Sequence, residues 1–153
     1  MARGRWDNGG ANYANHNVSI SIRITTLRLG ATLSILIVED EHDIRAVLTE
    51  ILEDEGYAVA SVPNGLEALV FLQEHRPQLI LLDLGMPVMT GWEFRERQQR
   101  DPALADIPVI VMSATPHLNQ TAAALHAADC LDKPIELNAL LGMVEQYCAD
   151  PAT

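Results

Sequence analysis

Apolar and polar residues follow one another in blocks from Leu33 onward, and each block has the length of a strand or of a helix. Short runs that are almost entirely apolar are typical of strands buried on both faces. We predict such strands at residues 33–38, 57–62, 79–82 and 107–112, with a fifth beginning at Cys130. After the strands, apolar residues recur at helical spacing. We predict helices at residues 44–52, 66–72, 92–99, 117–127 and 135–147, the third of them polar.

A strand and a helix alternate five times between residues 33 and 148. This alternation, with strands of little polar character, predicts a parallel sheet covered by helices on both faces. Of the two common doubly wound arrangements, the flavodoxin-like order 2-1-3-4-5 is the compact one for five strands. We therefore predict an α/β fold with a flavodoxin-like, doubly wound, five-stranded parallel sheet in a three-layer sandwich.

The first 32 residues follow a different pattern. Residues 9–17 are rich in Asn and Gly without periodicity, which favours disorder. Residues 18–24 alternate between apolar and polar side chains, which would suit a half-exposed strand. A start site assigned too far upstream and a targeting peptide are two other interpretations. We divide the chain into an N-terminal extension at 1–32, expected to be disordered, one domain at 33–148 and a tail at 149–153.

Composition and charge narrow the class of protein. The chain has 153 residues, 48% hydrophobic and 20% charged, which fits a globular domain with a sizeable core. The formal net charge is −11, with +3 in the first 32 residues and −14 in the remainder. This acidity argues against nucleic acid or an anionic membrane as a partner. Two cysteines are too few to staple the fold, and no apolar run reaches the roughly 20 residues of a membrane span, so we expect free thiols and a cytoplasmic location.

Polar side chains stand where four of the five predicted strands end. Glu39 and Asp40 follow the first strand, and Asp83 follows the third. Ser113 follows the fourth, and Lys133, the only lysine of the chain, follows the fifth. The second strand brings no such residue, which fits an edge position. Because ligands bind at the carboxyl ends of strands in an open parallel sheet, we expect these five side chains to meet.

Three carboxylates at one edge repel one another unless a cation compensates their charge. Mg²⁺ suits such a site, because it binds one or two carboxylates together with waters and a phosphoryl oxygen. The lysine and the serine could contact further phosphoryl oxygens, which leaves one carboxylate to attack phosphorus. Each residue alone has a simpler explanation, since Glu39, Asp40 and Asp43 could cap the next helix and Lys133 could be a surface lysine. Their joint placement favours the phosphoryl-binding site.

Four short motifs occupy these strand ends. They are Glu39-Asp40, the run from Asp83 to Gly91 (DLGMPVMTG), Ser113-Ala114 and Lys133-Pro134. In this order they resemble the receiver domain of bacterial response regulators in two-component signalling. The resemblance covers Leu33 to about Cys148.

The resemblance implies a phosphorylation site that depends on Mg²⁺. Asp83 would be the phosphoacceptor, receiving its phosphoryl group from a sensor histidine kinase or a phosphotransfer protein. Asp40, Asp83 and the backbone carbonyl of Gly85 would ligate the ion. Glu39 would act through a metal-bound water.

The resemblance also implies a conformational switch. Ser113 would turn toward the phosphoryl group, Lys133 would pair with it, and the Lys133–Pro134 bond would be cis. The face formed by the fourth helix, the fifth strand and the fifth helix would then signal to a protein partner. Ile44 and Val47 would begin a docking surface for the kinase. On this interpretation the protein takes part only in its own phosphoryl transfer and dephosphorylation and is not otherwise an enzyme.

Two other functions stay open. Receiver domains often carry Tyr or Phe where this chain has Cys130, so an interaction module that works without phosphorylation is the first alternative. The second is an aspartate-nucleophile phosphatase. Such sites usually carry an acid two residues after the nucleophile, and Gly85 stands there instead.

Overall fold

The predicted strands form one parallel sheet. The computed structural model describes residues 33–148, in which strands and helices alternate. The strands are β1 (Ile35–Val38), β2 (Val59–Val62), β3 (Leu79–Asp83), β4 (Val109–Ser113) and β5 (Asp129–Asp132). Their order is β2-β1-β3-β4-β5, and all neighbours are parallel. This confirms the predicted fold class and strand order, including the edge position of the second strand.

The helices are α1 (His42–Asp54), α2 (Gly65–Phe71), α3 (Gly91–Arg100), α4 (Leu118–Ala124) and α5 (Leu137–Tyr147). The fourth helix is shorter than the predicted 117–127. His126 has a left-handed backbone with φ of 51°, which cannot continue a right-handed helix. The guanidinium of Arg95 binds the carbonyl oxygens of Leu125 and His126, so a distant side chain holds the end of α4.

Each face of the sheet has its own hydrophobic core. On one face α2, α3 and α4 cover the sheet, and on the other face α1 and α5 do. Successive strand residues point to opposite faces, so Leu36 and Val38 enter the first core while Ile35 and Ile37 enter the second. Because both faces are covered, polar side chains of the central strands are confined to the strand ends.

The predicted extension at 1–32 and the predicted tail at 149–153 lie outside the described residues. Among the helices between Leu33 and Cys148, none combines the length and the apolar character that crossing a bilayer requires. Cys130 and Cys148 are both free thiols, as the sequence predicted.

Candidate functional site

Three carboxylates meet at the carboxyl edge of the sheet. Glu39 and Asp40 directly follow β1, and Asp83 ends the neighbouring strand β3. One oxygen from each carboxylate lies within 4.8 Å of the other two. Glu39 and Asp83 are buried, with 1% and 5% of their surface exposed, whereas Asp40 is exposed. The structure thus brings together the three acids that the sequence placed at this edge.

Lys133 joins the two buried acids. Its Nζ donates to Oε2 of Glu39 at 2.9 Å and lies 3.2 Å from Oδ1 of Asp83. The backbone N–H of Lys133 donates to the carbonyl of Ser113 at 3.0 Å, which fixes the residue beside β4. The Lys133–Pro134 peptide is cis, as expected from the resemblance. We call Glu39, Asp40, Asp83 and Lys133 the rim cluster.

The rim cluster carries more negative than positive charge. Burial raises the pKa of Glu39, and the charge of Asp83 adds to this rise, while the hydrogen bond from Lys133 opposes it. Burial alone would lower the pKa of Lys133, but its hydrogen bond to Glu39 and the charges of Asp83 and Glu39 together raise it. One ammonium therefore faces three carboxylates, and a second cation would relieve the remaining repulsion.

The helix-capping explanation for the acids does not describe this geometry. The N-cap of α1 is Glu41, and no side chain caps the helix start. Asp43 lies in the first turn of α1, where it is exposed and its carboxylate lies 3.3 Å from Nδ1 of His42. Oε1 of Glu39 accepts the N–H of Glu41 at 3.2 Å, but its other oxygen turns to Lys133. The carboxylates of Glu39 and Asp40 are thus part of the rim cluster rather than helix caps.

Gly85 and Ser113 flank the cluster. The N–H of Gly85 donates to Oδ1 of Asp83 at 3.4 Å, and a methyl group at Gly85 would meet nothing within 4 Å. Ser113 ends β4 one residue beyond Met112, which pairs with Asp83. Its Oγ accepts the N–H of Thr115 at 3.1 Å. The hydroxyl proton of Ser113 is not used in this bond, and rotating the side chain toward a ligand would break the bond from Thr115.

Gly91 lets α3 approach the site closely. A Cβ atom at Gly91 would lie 2.6 Å from the carbonyl oxygen of Asp83 and 2.8 Å from Cα of Leu84, closer than real atoms pack. The N–H of Gly91 donates to the carbonyl of Leu84 at 3.1 Å. The last glycine of the motif from Asp83 to Gly91 therefore has a steric reason, which the sequence analysis did not identify.

Sequence reasoning also missed Arg45 and Glu67. Nη1 of Arg45 donates to the carbonyl oxygens of Glu39 at 2.7 Å and Asp40 at 3.4 Å. Glu67, in the first turn of α2, is buried with 6% exposure. The sequence did contain a feature that could have drawn attention to Arg45, because it is the only Lys or Arg from Leu33 to His75.

The rim cluster fits a magnesium ion. Hard oxygen ligands are what Mg²⁺ requires, and the three carboxylates supply them. Ligands on opposite sides of the ion lie about 4 Å apart when each is about 2.1 Å from it. The spacing within 4.8 Å therefore needs only small side-chain adjustments to surround one ion.

An apolar groove of about 350 Å³ begins beside the rim cluster. Its walls are α1 and the segment from Lys133 to Leu140. Val47 and Leu137 border it with 54% and 47% of their surface exposed, unusual values for such large apolar side chains. Ile44 also lines the groove, so both residues that the sequence analysis assigned to a docking surface are found there.

Cys130 lies half-buried in β5, three residues before Lys133. Its Sγ donates to Oδ1 of Asn119 in α4 at 3.2 Å. Burial raises the pKa of the thiol, and the charges of Asp129 and Asp132 raise it further. The thiol therefore stays protonated at neutral pH and links β5 to α4.

Comparisons with known proteins identify relatives of the described domain. Residues 35–145 match the family model of the response regulator receiver domain. Sporulation initiation phosphotransferase F of Bacillus subtilis is 36% identical over 115 residues, which are 74% of this chain and 91% of that protein. The polar-differentiation response regulator DivK of Brucella anthropi is 32% identical over 120 residues, which are 76% of this chain and 97% of that one.

A solved structure is similar over the same region. The chemotaxis protein CheY4 of Vibrio cholerae superimposes with a TM-score of 0.70 at 31% sequence identity. The match covers 76% of this chain and 99% of that one. The described domain thus corresponds to nearly the full length of these relatives.

Proposed function

The chain belongs to the response regulator receiver domain family, and from this premise we propose that Asp83 accepts a phosphoryl group in a Mg²⁺-dependent transfer. Receiver domains are in general signalling modules that interact with histidine kinases or phosphotransfer proteins and with downstream targets. The observation that carries the proposal is the rim cluster, in which three carboxylates meet and one ammonium pairs with two of them. Such a site is completed by a cation and a phosphoryl group.

Receiver domains bind Mg²⁺ at their acidic site, and the residues of this chain fit that role. The carboxylates of Asp40 and Asp83 and the carbonyl of Gly85 would hold the ion, with Glu39 acting through a bound water. When bound, Mg²⁺ would neutralise charge on the phosphoryl oxygens. Glu39 is already engaged by Lys133 at 2.9 Å, which supports the indirect role over direct ligation.

Asp83 would do the covalent chemistry. A carboxylate oxygen would attack phosphorus and form an acyl phosphate while the bond from phosphorus to the donor's imidazole nitrogen breaks. Lys133, 3.2 Å from Asp83, would follow the new charge and donate to a phosphoryl oxygen. Ser113 would leave the N–H of Thr115 to donate to another oxygen. Hydrolysis of the acyl phosphate by water would return the protein to its starting state.

The phosphoryl donor would dock beside the rim cluster. The groove between α1 and the segment from Lys133 to Leu140 offers apolar surface directly next to Asp83's partner Lys133. One relative is named a sporulation initiation phosphotransferase and another a polar-differentiation response regulator, and we propose that this chain either passes its phosphoryl group on or regulates a protein target. We place the protein in the cytoplasm, which agrees with its two free cysteines.

Incubation with acetyl phosphate and Mg²⁺ tests the proposal. Intact-mass measurement should find one added phosphoryl group on the wild-type protein, and none when Mg²⁺ is chelated. Asp83→Asn should abolish the gain, because an amide cannot form the acyl phosphate. Asp106→Asn, an exposed aspartate outside the rim cluster, is the matched control and should be modified like wild type. Equal modification of Asp83→Asn would refute the acceptor.

An interaction module that works without phosphorylation is the second candidate, and the absent aromatic ring at Cys130 favours it. The thiol bridges β5 and α4 through Asn119, so a small side chain there performs a structural role without reorienting. A wild-type protein that neither gains phosphoryl mass nor binds Mg²⁺ would refute the first proposal and favour this alternative.

A further inference from the structure

The exposed acid of the rim cluster depends on its backbone for its position. Asp40 makes no side-chain hydrogen bond or ion pair with any residue between Leu33 and Cys148, whereas Glu39 is fixed by Lys133 and by the N–H of Glu41. An exposed carboxylate without side-chain partners samples many rotamers. What places its oxygens near those of Asp83 is therefore the course of the chain between β1 and α1.

Arg45 holds that stretch of chain. It lies in the first turns of α1, and its N–H donates to the carbonyl of Glu41 at 2.9 Å. Its guanidinium reaches back along the same turn to the carbonyls of Glu39 at 2.7 Å and Asp40 at 3.4 Å. Hydrogen bonds from a charged donor are shorter and stronger than those from a neutral donor. Both residues of the acidic pair are thus tied to α1 through one side chain.

Glu67, on the other side of the sheet, carries a negative charge that acts on Arg45. It lies in α2, on the face opposite α1, and one of its carboxylate oxygens is buried without a hydrogen-bond partner. Burial raises the pKa of this carboxyl, and the charge of Arg45 counteracts the rise. A buried, unpartnered carboxylate costs stability, so an apolar side chain would suit packing alone better. What the acid supplies is a negative charge that attracts Arg45.

We propose that Arg45 and Glu67 are a positioning pair. Arg45 holds the backbone of Glu39 and Asp40 through hydrogen bonds, and the buried carboxylate of Glu67 attracts Arg45 from beyond ion-pair distance, so that Asp40 is in place for a divalent cation. This inference rests on the proposed function, because it assigns the two residues to its metal site. Neither residue touches the ion or the phosphoryl group. Both act through the backbone that carries Asp40.

The test measures Mg²⁺ affinity by titration calorimetry without any phosphoryl donor, and folding stability by urea unfolding. Arg45→Ala should weaken Mg²⁺ binding about 10-fold, the low end for residues that orient metal ligands. Arg45→Lys keeps a charged donor and should lose about 3-fold or less. Arg76→Ala is the matched control, since Arg76 also donates to a backbone carbonyl, that of Ala103, far from the rim cluster. It should bind Mg²⁺ like wild type.

Glu67→Gln separates positioning from stability and does not depend on Arg45→Ala being folded. It keeps the size of the side chain and removes the buried charge, so the protein should unfold at equal or higher urea concentration while Mg²⁺ affinity falls. A merely structural role cannot produce these opposite signs. Unchanged Mg²⁺ affinity in Glu67→Gln, or in a folded Arg45→Ala, would overturn the positioning pair.

The two levels of the hypothesis fail differently. If wild type binds Mg²⁺ and is phosphorylated on Asp83 but the variants bind equally well, only the positioning pair is wrong. If wild type binds no Mg²⁺ at all, the proposed function falls and the positioning pair with it.

Discussion

Two groups of buried polar side chains lie at opposite edges of the sheet, and they solve the problem of burial in different ways. At the carboxyl edge, the rim cluster contains two buried carboxylates, an exposed third carboxylate and one ammonium, which pairs with the two buried acids. At the amino edge, Arg95 and Gln98 of α3 are buried, and no carboxylate of the described residues forms a salt bridge with Arg95. We call this second group the base network.

The base network satisfies its polar atoms with backbone carbonyls. Arg95 donates to Leu125 at 3.0 Å, to His126 at 2.8 Å and to Oε1 of Gln98 at 2.7 Å. Nε2 of Gln98 donates to the carbonyls of Leu104 and Ile107, both at 3.0 Å.

Burial lowers the pKa of Arg95 from its usual value, which is the cost of placing the cation there. The carbonyl oxygens at the end of α4, which a helix leaves unpaired, offset that cost. Each side-chain nitrogen and oxygen of the base network thus has a hydrogen-bond partner, whereas the rim cluster keeps an excess of negative charge. The base network therefore stabilises the fold, whereas the carboxylates of the rim cluster repel one another until a cation binds.

Removing the cation of the base network should have the largest effect on stability. Arg95→Ala deletes three hydrogen bonds of a charged donor and leaves a cavity, so we expect a loss of about 3 kcal/mol in the free energy of unfolding by urea. Arg100→Ala, at the exposed end of the same helix, removes only the pair with Glu96. That control should cost about 0.5 kcal/mol or less. Comparable losses in both variants would contradict the structural role of the base network.

A methyl group at Gly91 tests the close approach of α3 to the backbone of Asp83 and Leu84. Gly91→Ala would press on the carbonyl oxygen of Asp83 and Cα of Leu84, which are backbone atoms and cannot swing aside. We expect a loss of about 2 kcal/mol in thermal or urea unfolding. At Gly142 in α5, a methyl group meets nothing within 4 Å. Gly142→Ala should therefore stabilise the protein by about 0.5–1 kcal/mol, and a gain in both variants would disprove the close approach.

Removing a charge from the rim cluster should raise the stability of the fold, whereas removing the charge of the base network should lower it. Asp40→Asn relieves repulsion with Glu39 and Asp83, so without Mg²⁺ the variant should be more stable than wild type by about 1 kcal/mol, and by less at high salt. Added Mg²⁺ should stabilise wild type more than the variant. Calorimetric melting with and without the ion measures both effects. Equal melting temperatures under both conditions would mean that the three carboxylates do not act together.

The smallest expected effect concerns the pH dependence of Glu67. Its pKa is raised from 4.5 by burial, so the uncharged form is favoured in the folded protein. Wild type should therefore lose stability relative to Glu67→Gln as pH rises from about 4.5 through the raised pKa. Urea unfolding at a series of pH values would reveal this difference, which the nearby charge of Arg45 keeps small. A constant difference across the range would indicate that burial does not govern this carboxyl.

Much of the molecule followed from local patterns in the sequence. Apolar runs and helical stripes predicted all ten elements, and their alternation predicted the strand order, because a parallel sheet buried on both faces leaves few alternatives. The same patterns located Glu39, Asp40, Asp83 and Lys133, since polar residues at the ends of buried strands are conspicuous. The reactions assigned to these residues stay predictions.

Only the tertiary structure decided which of these side chains contact each other. Lys133 pairs with Glu39, 94 positions earlier in the chain, rather than with the adjacent Asp40. The carboxylate of Glu39 is buried within reach of the ammonium of Lys133, whereas Asp40 is exposed to solvent.

The end of α4 at Ala124 depends on Arg95, 30 residues before its partner Leu125, and no helical stripe encodes such a contact. Arg45 and Glu67 likewise lie on helices that cover opposite faces of the sheet, so no local pattern relates their charges. Local sequence sets which face a residue occupies, whereas contacts between elements depend on packing distances that only the assembled fold defines.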